Sequence, residues 1–466
     1  MASTWANSAD LHLELQGPGT RRAQLMHALR EAIRSGRLAP DTRLPPYRGL
    51  AHDLGIARNT VAAAYAELVE EGWLTARQGS GTRVARRAVP APADPVRRPS
   101  GPPRPELRHD LRPSSPTAAA FPRAAWLTSA RRALTAAPSE AFGVGDPRGR
   151  PELRRAVAEY LARARGARTD PDRIVICSGF AHGLRLLAEV LDGPVATESY
   201  GLDFHRECLH RGGLRTVALS IDAHGARVDE LPDTGARAVL LTPAHQYPTG
   251  GALHPRRRAA VVDWARSTGA LLLEDDYDGE FRYDREPVGA VQGLDPERVV
   301  YLGSTSKSLS PALRLGWLAL PGSIIDEVVA AKGQRELTAG VVDQLTLADL
   351  IAHGAYDRHL RRMRQSYRRR RDLLVRTLAS RAPRVRVSGI AAGLHAVLEL
   401  PAGTEDAALA AAHRLGIALD GLRAYRHPDS QMPVRDGLVI GYGTPPDHAF
   451  AAALDALCLA LARSTA

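Results

Sequence analysis

Apolar residues in the first eighty-five positions recur at the spacing of short amphipathic helices. The pattern predicts one helix over residues 21–35 and two more at about 47–54 and 58–70. The last two are joined by Gly55-Ile56-Ala57, a tight connection of the kind that a helix-turn-helix requires. A predicted hairpin with a glycine-rich tip follows over residues 73–84.

The third predicted helix presents Arg58, Asn59 and Thr60 at its N-terminus, followed by small alanines. In a helix-turn-helix this end enters the major groove of DNA, where such side chains contact base edges and phosphates. The predicted hairpin adds two basic side chains, Arg77 and Arg83. Helix, helix-turn-helix and basic wing in this order indicate a domain that binds double-stranded DNA.

Residues 86–113 interrupt this patterning with eight prolines, seven arginines and almost no large apolar side chain. Such a segment cannot bury enough apolar surface to fold, which predicts an extended linker. The linker divides the chain into a DNA-binding domain over residues 1–85 and a large domain over residues 114–466.

From Phe121 onward, short apolar runs alternate with helical patterns. This alternation is typical of the α/β class and predicts a mainly parallel central sheet, with a ligand site at the carboxyl ends of its strands. The predicted strands are residues 174–177, 195–197, 238–242, 271–273 and 299–302.

Composition narrows the class of protein and its partners. Hydrophobic residues make up 44% and charged residues 24% of the chain, as in folded soluble proteins. The formal charge of +11 favours a polyanionic partner. The three cysteines lack CxxC spacing, which argues against a zinc site or a disulfide framework and favours a reducing compartment. Because there is no apolar leader and no run of about 18 apolar residues, we expect a cytoplasmic protein without a membrane anchor.

Lysine is almost absent, since only Lys307 and Lys332 occur among 62 Lys and Arg residues. Arginine cannot lose its proton near neutral pH, whereas a lysine with a lowered pKa is an amine nucleophile. Lys307 follows the predicted strand 299–302, where a ligand site is expected. It is therefore a candidate Schiff-base lysine. The alternative is a surface lysine that has not been replaced by arginine.

Unusual residues also follow other predicted strands. Ser178-Gly179-Phe180 opens a helix suited to holding a phosphate, residues 274–281 are rich in carboxylates, and Arg314 lies seven residues beyond Lys307. An amine, an anion site and an acid together match the needs of pyridoxal phosphate. Each feature alone also has an ordinary explanation, such as a helix cap at Asp275 or an ion pair at Arg314.

Four short motifs in the N-terminal region are shared with a known family. They are Arg43-Leu-Pro-Pro-Tyr-Arg-Gly-Leu50, Leu54-Gly-Ile-Ala-Arg-Asn-Thr-Val61, Glu71-Gly-Trp-Leu74 and Gly79-Ser-Gly-Thr82. On these motifs residues 17–85 resemble the winged helix-turn-helix of GntR-type regulators. The resemblance implies operator contacts from the second and third helices and the wing tip, at Arg48, Arg58, Thr60, Gly79, Ser80 and Gly81.

Four longer motifs occur in the C-terminal region: Phe121-Pro-Arg-Ala-Ala-Trp126, Gly145-Asp-Pro-Arg-Gly-Arg-Pro-Glu-Leu-Arg154, Thr242-Pro-Ala-His-Gln-Tyr-Pro-Thr-Gly250 and Glu274-Asp-Asp-Tyr-Asp-Gly-Glu-Phe281. On these, residues 114–466 resemble fold-type I aminotransferases of class I and II, and in particular the aminotransferase-like domain of MocR/GabR-type regulators. The resemblance implies a Schiff base between Lys307 and pyridoxal phosphate, with Asp275 paired to the pyridinium nitrogen. Tyr277 would donate to the phenolic oxygen, and Tyr200 would stack on the ring. The implied phosphate contacts are Ser178, Gly179, Phe180, Ser304 and Arg314.

The sequence departs from the aminotransferase pattern at three places. Tyr247 replaces the Asn that usually precedes Pro-Thr-Gly, with His245 and Gln246 as possible substitutes for its cofactor contact. Val144 replaces a Tyr that in aminotransferases reaches the phosphate of the neighbouring subunit. The usual carboxylate-binding Arg near the C-terminus is missing, and the nearest candidates for an effector carboxylate are Arg423 and Arg426.

The resemblance implies a homodimeric transcription regulator, with the winged helix of one chain near the large domain of its partner. Pyridoxal phosphate, or an amine or amino acid reacting at Lys307, would be its effector, and vitamin B6 or amine metabolism its target. One alternative is a working aminotransferase with an accessory DNA-binding domain. Another is a DNA-binding protein whose large domain only dimerises.

Nine arginines lie between residues 358 and 376, at mixed helical spacing. Leu360, Met363 and Tyr367 form the predicted buried stripe of this helix. Its arginines fit a solvated helix face, and they also fit a second surface that DNA could contact.

Overall fold

The structure, a computed structural model, describes residues 13–77, 81–86, 107–113, 116–283, 288–333 and 339–464. The chain folds as two compact units, Met1–Arg104 and Pro105–Ala466. Among the described residues, no helix combines the length and the apolar character needed to cross a lipid bilayer.

The small unit contains the predicted helix-turn-helix and wing. Helices α1 (Arg21–Arg34), α2 (Tyr47–Asp53) and α3 (Arg58–Glu70) precede the antiparallel strands β1 (Leu74–Arg77) and β2 (Gly81–Val84). Their apolar faces form one core, which includes Leu25, Leu29, Leu50, Val61, Leu68 and Val84. The three helices predicted from apolar spacing are thus confirmed, with ends within one residue of those expected.

The large unit begins inside the segment predicted as linker. Strand β3 (His109–Asp110) pairs in parallel with Ile417–Ala418, and Leu111 is fully buried in the main core. This leucine gives the end of the segment an apolar contact that its proline-rich composition does not indicate. The structure therefore places the start of the large unit before residue 113.

Within the described residues, the remaining strands of the large unit lie in four sheets. They are β4 (Ile174–Cys177), β5 (Val195–Glu198), β6 (Thr216–Leu219), β7 (Ile221–Asp222), β8 (Gly225–Ala226), β9 (Ala238–Leu241), β10 (Leu271–Asp275), β11 (Val299–Ser304), β12 (Gly316–Ala319), β13 (Arg386–Ser388), β14 (His395–Glu399), β15 (Ile417–Ala418), β16 (Asp420–Gly421) and β17 (Gly437–Gly441). The central sheet has the order β4-β12-β11-β10-β9-β5-β6, and within it only β12 runs antiparallel to its neighbours. A smaller antiparallel sheet has the order β13-β14-β17-β16, while β7 and β8 form a hairpin and β15 pairs with β3.

The helices of the large unit include those that connect the strands of the central sheet and those that pack against the smaller sheet. They are α4 (Arg123–Ala136), α5 (Pro151–Arg165), α6 (Phe180–Val190), α7 (Asp203–Arg211), α8 (Leu231–Thr234), α9 (Pro255–Thr268), α10 (Ile325–Lys332), α11 (Val341–Ala352), α12 (Ala355–Arg381), α13 (Glu405–Arg414) and α14 (Asp447–Ser464). In α12, Leu360, Met363 and Tyr367 are buried, which confirms the predicted stripe. Arg370 is buried as well and is held by Asp447 at 2.6 Å.

Both faces of the central sheet are buried, which explains why its strands are continuous apolar runs. In β9, Ala238 and Leu240 pack into one apolar cluster, and Val239 and Leu241 pack into another on the opposite face. The five strands predicted in this region are confirmed, although β5, β10 and β11 extend further than expected and β9 ends one residue earlier. Strands β10 and β11 continue to polar residues, Asp275 and Ser304, at their carboxyl ends.

Candidate functional site

A cavity of about 370 Å³ lies where β4, β10 and β11 end. Its wall includes Phe180 from the start of α6, Asp275 from the end of β10, and Lys307 from the loop after β11. Four of the lining residues carry formal charges, and they are Asp275, Lys307, Arg314 and Asp420. The cavity therefore occupies the sheet edge at which the sequence predicted a ligand site.

The carboxylates at and after the end of β10 have different partners. Glu274 accepts two backbone N–H groups, at 2.9 and 2.8 Å. Asp276 forms a buried ion pair with Arg165 at 2.6 Å. Asp278 lies 2.8 Å from Nδ1 of His245. Each of these carboxylates is satisfied inside the protein.

Asp275 differs from its neighbours. Only 4% of it is exposed, and its buried Oδ1 atom has no hydrogen-bond partner among the described residues. Burial raises the pKa of Asp275 well above its ordinary range, and the nearby Asp276 and Asp278 raise it further. Nε2 of His205 lies 3.9 Å from Oδ2, but burial lowers the pKa of His205 to about 3, so this ring is neutral. Oδ1 is therefore an acceptor suited to a cationic N–H donor.

Lys307 lines the same cavity as Asp275. Burial lowers the pKa of its amine below the ordinary lysine value, although Asp278 and Asp275 oppose this shift. A lowered pKa increases the fraction of neutral amine, which is the nucleophilic form. Lys332, in contrast, is buried elsewhere and donates to two backbone carbonyls at 2.5 and 2.7 Å. The two lysines of the chain thus have different environments.

The first turn of α6 and Arg314 form one end of the cavity. Gly179 adopts a φ of +79°, and a Cβ atom there would lie 3.3 Å from the guanidinium carbon of Arg314. Arg314 donates to the backbone carbonyl of Ser178 at 2.8 Å, and Phe180 and Ser304 line the cavity beside it. The first N–H groups of a helix have no partner within the helix, so a helix start beside a guanidinium is suited to a phosphate.

Tyr277 lines the cavity, and its hydroxyl donates to the backbone carbonyl of His245 at 3.0 Å. The ring of His245 lies behind it, in a buried group with Asp278 and His395 whose potential ligand atoms are within 4.8 Å of one another. Nε2 of His395 is 3.1 Å from the backbone oxygen of Pro248. Hydrogen bonds within the protein thus already engage both imidazoles, behind the cavity wall.

These groups match the binding needs of pyridoxal phosphate. Asp275 offers an acceptor for a pyridinium N–H, Lys307 an amine for the aldehyde, and Tyr277 a hydroxyl beside the ring. Arg314 and the start of α6 supply an anion site. A buried acceptor without a donor costs about 1–3 kcal/mol, and a pyridinium at Asp275 would remove this penalty. The residues present therefore fit this cofactor.

Five predicted cofactor contacts are not among the residues that line the cavity. Two of them, Ser178 and Gly179, lie beside it against Arg314, and the other three are buried. Tyr200 is fully buried in the core, where its hydroxyl accepts the backbone N–H of Arg435 at 3.2 Å. Gln246 is also buried and donates to the backbone oxygen of Tyr200 at 2.8 Å. His245 lies behind Tyr277. The side chains of Tyr200, Gln246 and His245 are thus hydrogen-bonded inside the protein, and neighbouring residues form the cavity wall.

Neither arginine considered for an effector carboxylate lines the cavity. Arg423 is held by the carboxylates of Glu405 at 3.2 Å and Asp406 at 2.5 Å. Arg426 donates to the backbone carbonyls of Ser430 and Met432. Both guanidinium groups are engaged elsewhere in the protein.

Several lining residues were not identified from the sequence. His205 of α7 packs against Phe180 in a tilted arrangement, with ring centroids 4.7 Å apart. Tyr425 donates to Oδ2 of Asp420 at 2.7 Å, and its hydroxyl is 3.4 Å from that of Tyr247. The one available signal was the position of His205 at the start of a helix that follows β5. Asp420 and Tyr425 lie far along the chain from every recognised motif.

The small unit has its own candidate surface for DNA. Tyr65 of α3 donates to the backbone oxygen of Pro45 at 3.2 Å, which ties α3 to the segment before α2. Thr60 is half-buried, whereas Gly79 and Ser80 lie outside the described residues. The predicted DNA-contacting residues that the structure shows as exposed are Arg48, Arg58, Asn59, Arg77 and Gly81.

Two family models match the chain, one for each unit. Residues 21–84 match bacterial regulatory proteins of the gntR family, and residues 113–425 match the class I and II aminotransferases. Among solved structures, the multiple substrate aminotransferase from Thermococcus profundus aligns with a TM-score of 0.69 at 22% identity, covering 78% of this chain and 92% of that one. The large unit therefore has the fold of these aminotransferases.

Proteins named as transcription regulators match the chain over most of its length. PdxR, an HTH-type pyridoxine biosynthesis transcriptional regulator of Corynebacterium glutamicum, is 33% identical over 397 residues, 84% of this chain and 86% of that protein. The probable rhizopine catabolism regulatory protein MocR of Rhizobium meliloti is 32% identical over 444 residues, 90% of this chain and 89% of that protein. The chain belongs to this family of GntR-type transcription regulators, which join a helix-turn-helix domain to a class I and II aminotransferase domain.

Proposed function

We propose that this regulator binds pyridoxal phosphate at Lys307 and uses the loaded cavity to sense an effector. The effector is pyridoxal phosphate itself or a small amine that enters the same cavity. The observation that supports this most directly is the buried Oδ1 of Asp275, an acceptor without a donor among the described residues, in the cavity that also contains the Lys307 amine.

Each group at this end of the cavity has a role in holding the cofactor. When bound, pyridoxal phosphate supplies an aldehyde that condenses with amines. The lowered pKa of Lys307 favours the neutral amine that such a condensation needs. Asp275 would keep the pyridine nitrogen protonated, and Arg314 with the start of α6 would hold the phosphate. Tyr277 would orient the ring from its phenolic side.

We also propose that the protein acts as a homodimer. Leu127, Phe142 and Val144 are 67%, 54% and 81% exposed, and a partner subunit that covered these large apolar side chains would remove their surface from water. A ligand can change DNA binding only if it favours one arrangement of the dimer over another. Paired helix-turn-helix units would then engage an operator with two half-sites.

The relatives suggest two kinds of target gene. One matched regulator is named for pyridoxine biosynthesis and another for rhizopine catabolism. Genes of cofactor synthesis and genes of amine catabolism are therefore the candidates, and they correspond to the two candidate effectors.

The decisive experiment combines cofactor absorbance with DNA binding. Wild-type protein incubated with pyridoxal phosphate should show the visible absorbance of a lysine-bound cofactor. Lys307→Ala should abolish it, and Lys307→Arg should abolish it while keeping the positive charge, because a guanidinium does not condense with the aldehyde. Gel-shift titration against DNA from upstream of the gene should show an affinity or footprint that changes with the cofactor.

An Arg58→Ala variant serves as the matched control for the other domain. It should weaken operator binding by about 1–3 kcal/mol, because Arg58 lies at the exposed start of α3, and leave the cofactor absorbance unchanged. Wild-type protein without cofactor absorbance would refute the cofactor proposal. A gel shift unaffected by pyridoxal phosphate and by amines would refute the sensing role.

A further inference from the structure

The charges that line the cavity are not all explained by the proposed cofactor. Asp275, Lys307 and Arg314 would each face a complementary group of pyridoxal phosphate, namely the pyridinium nitrogen, the aldehyde and the phosphate. Asp420 has no counterpart on that molecule. Because it lines the same cavity, its carboxylate would face whatever enters beside the bound cofactor.

Asp420 is only partly satisfied by the protein. It lies in β16 and is half-buried, and the hydroxyl of Tyr425 donates to its Oδ2 atom at 2.7 Å. Its Oδ1 atom accepts no hydrogen bond from the described residues. Arg112 contributes some positive potential, but this guanidinium is bound by Asp110 at 3.0 and 2.7 Å. A carboxylate with one free acceptor remains available to a ligand.

A ligand that carries a carboxylate has no evident cationic partner in the described part of the chain. Arg423 and Arg426, the nearest arginines in sequence, are bound by carboxylates and by backbone carbonyls. Of the positive residues that line the cavity, Lys307 and Arg314 are assigned to the cofactor. A carboxylate entering beside the cofactor would therefore meet Asp420 without a compensating cation, and like charges at short range repel.

The wall between the two ends of the cavity is aromatic and apolar. Tyr277 and Tyr247 have ring centroids 5.7 Å apart, and Tyr247 and Tyr425 follow at 5.4 Å. Leu202 and Phe204 also line the cavity. This row of rings runs from the cofactor side to Asp420, and such a surface accommodates an uncharged aliphatic spacer.

We infer that the effector of this regulator is a dication of the diamine class. One amine lies toward Lys307, and a second positive group, at the other end of an aliphatic spacer, pairs with Asp420. This inference rests on the proposed function for the identity of the cavity, and it adds the charge that the effector must have. An ion pair to a half-buried carboxylate selects such a molecule over a neutral or anionic analogue of equal length.

The test uses three ligands of equal chain length with different terminal groups. Putrescine carries a second cation, n-butylamine ends in a methyl group, and γ-aminobutyrate ends in a carboxylate. Their affinities for the full-length protein, measured by calorimetry with and without pyridoxal phosphate, should favour putrescine over each analogue by about tenfold. Asp420→Asn should reduce this ratio to about one, and Asp420→Glu should retain most of it.

Asp406→Asn is the matched control, because this carboxylate is 82% exposed and does not line the cavity. It should leave the putrescine preference unchanged. Equal affinities for the three ligands, a preference for γ-aminobutyrate, or an Asp420→Asn variant that keeps the preference would each overturn the inference. Cofactor absorbance is recorded separately, so a protein that binds pyridoxal phosphate but shows no putrescine preference refutes only this inference. A preference seen without cofactor absorbance supports it while refuting the proposed function.

Discussion

Two carboxylates line the cavity, and the protein holds them in different ways. Asp275 ends a central strand, is 4% exposed, and has an oxygen with no partner among the described residues. Asp420 lies in a short strand of the smaller sheet, is half-buried, and accepts a hydrogen bond from Tyr425. The first carboxylate is surrounded by other acids, whereas the second faces aromatic side chains.

This difference indicates how binding energy is divided between the two ends of the cavity. A buried carboxylate without a donor destabilises the cofactor-free protein, and a cationic ligand that reaches it recovers that energy. A half-exposed carboxylate that already has a donor destabilises the fold little and contributes mainly to selectivity. We therefore expect Asp275 to control cofactor affinity and Asp420 to control which effector follows.

The largest effect is expected from Asp275→Asn on cofactor affinity. An amide cannot pair with a pyridinium, so the affinity for pyridoxal phosphate should fall by about a hundredfold, near 3 kcal/mol. Asp420→Asn makes the same chemical change at the other end of the cavity and should alter that affinity by less than about twofold. Absorbance titration measures both variants. Equal losses would show that the total charge of the cavity, rather than the ion pair at Asp275, holds the cofactor.

The same substitution should have the opposite effect on the stability of the cofactor-free protein. Burial, with help from Asp276 and Asp278, raises the pKa of Asp275 in the folded state. The folded protein then binds this proton more tightly than the unfolded chain, so the free energy of unfolding falls as pH rises above about 4, the pKa of an unfolded aspartate. This decrease in the free energy of unfolding is complete once the pH exceeds the pKa of Asp275 in the folded protein.

Asp275→Asn removes this titration. Without cofactor, the variant should gain about 2 kcal/mol over wild type near pH 8 and clearly less near pH 5, as measured by urea unfolding. Saturation with pyridoxal phosphate should make wild type the more stable of the two proteins, because only the carboxylate pairs with the cofactor. A variant that is less stable than wild type at both pH values without cofactor would show that Asp275 is satisfied in the native protein.

A smaller effect is expected at the phosphate end of the cavity. Gly179→Ala introduces a Cβ atom 3.3 Å from the guanidinium carbon of Arg314, at a φ of +79°. We expect a loss of about 1 kcal/mol in stability and a severalfold loss in cofactor affinity. Gly166→Ala is the matched control, because Gly166 has a φ of +65° and open space around its Cβ position. Gly166→Ala should lose stability but keep its affinity for the cofactor. If both variants lost the same cofactor affinity, the effect of Gly179→Ala would not be due to Arg314 and the phosphate.

The sequence predicted the cofactor end of the cavity better than the other end. Asp275, Lys307 and Arg314 follow strands whose apolar runs are unmistakable, and the ends of parallel strands meet at one sheet edge whatever the details of packing. The resemblance to aminotransferases assigned roles to the same residues. It could not show that the side chain of Tyr200 packs into the core, because side-chain orientation depends on contacts with distant residues such as Arg435.

The far end of the cavity could not be predicted in the same way. Asp420 lies in a two-residue strand, too short to give a periodic signal, and tertiary packing alone brings it beside Tyr247. Arg423 and Arg426 were considered because arginine suits a carboxylate. Local partners such as Glu405 hold these side chains elsewhere, and such pairings are not visible in one sequence without the fold.

The smallest effect is expected from Tyr425→Phe, which tests how Asp420 acts. The change removes one hydroxyl group, which donates to Oδ2 of Asp420 at 2.7 Å and lies 3.4 Å from the hydroxyl of Tyr247. The carboxylate itself stays in place. Calorimetry should show a two- to threefold loss of putrescine preference, about 0.5 kcal/mol, because a less ordered carboxylate still attracts a cation. Tyr160→Phe, which removes a buried hydroxyl 3.0 Å from Glu280 outside this cavity, should leave the preference unchanged. If Tyr425→Phe removed the preference as completely as Asp420→Asn, the orientation of the carboxylate rather than its charge would set selectivity. An unchanged preference would show that the charge of Asp420 acts without the Tyr425 hydrogen bond.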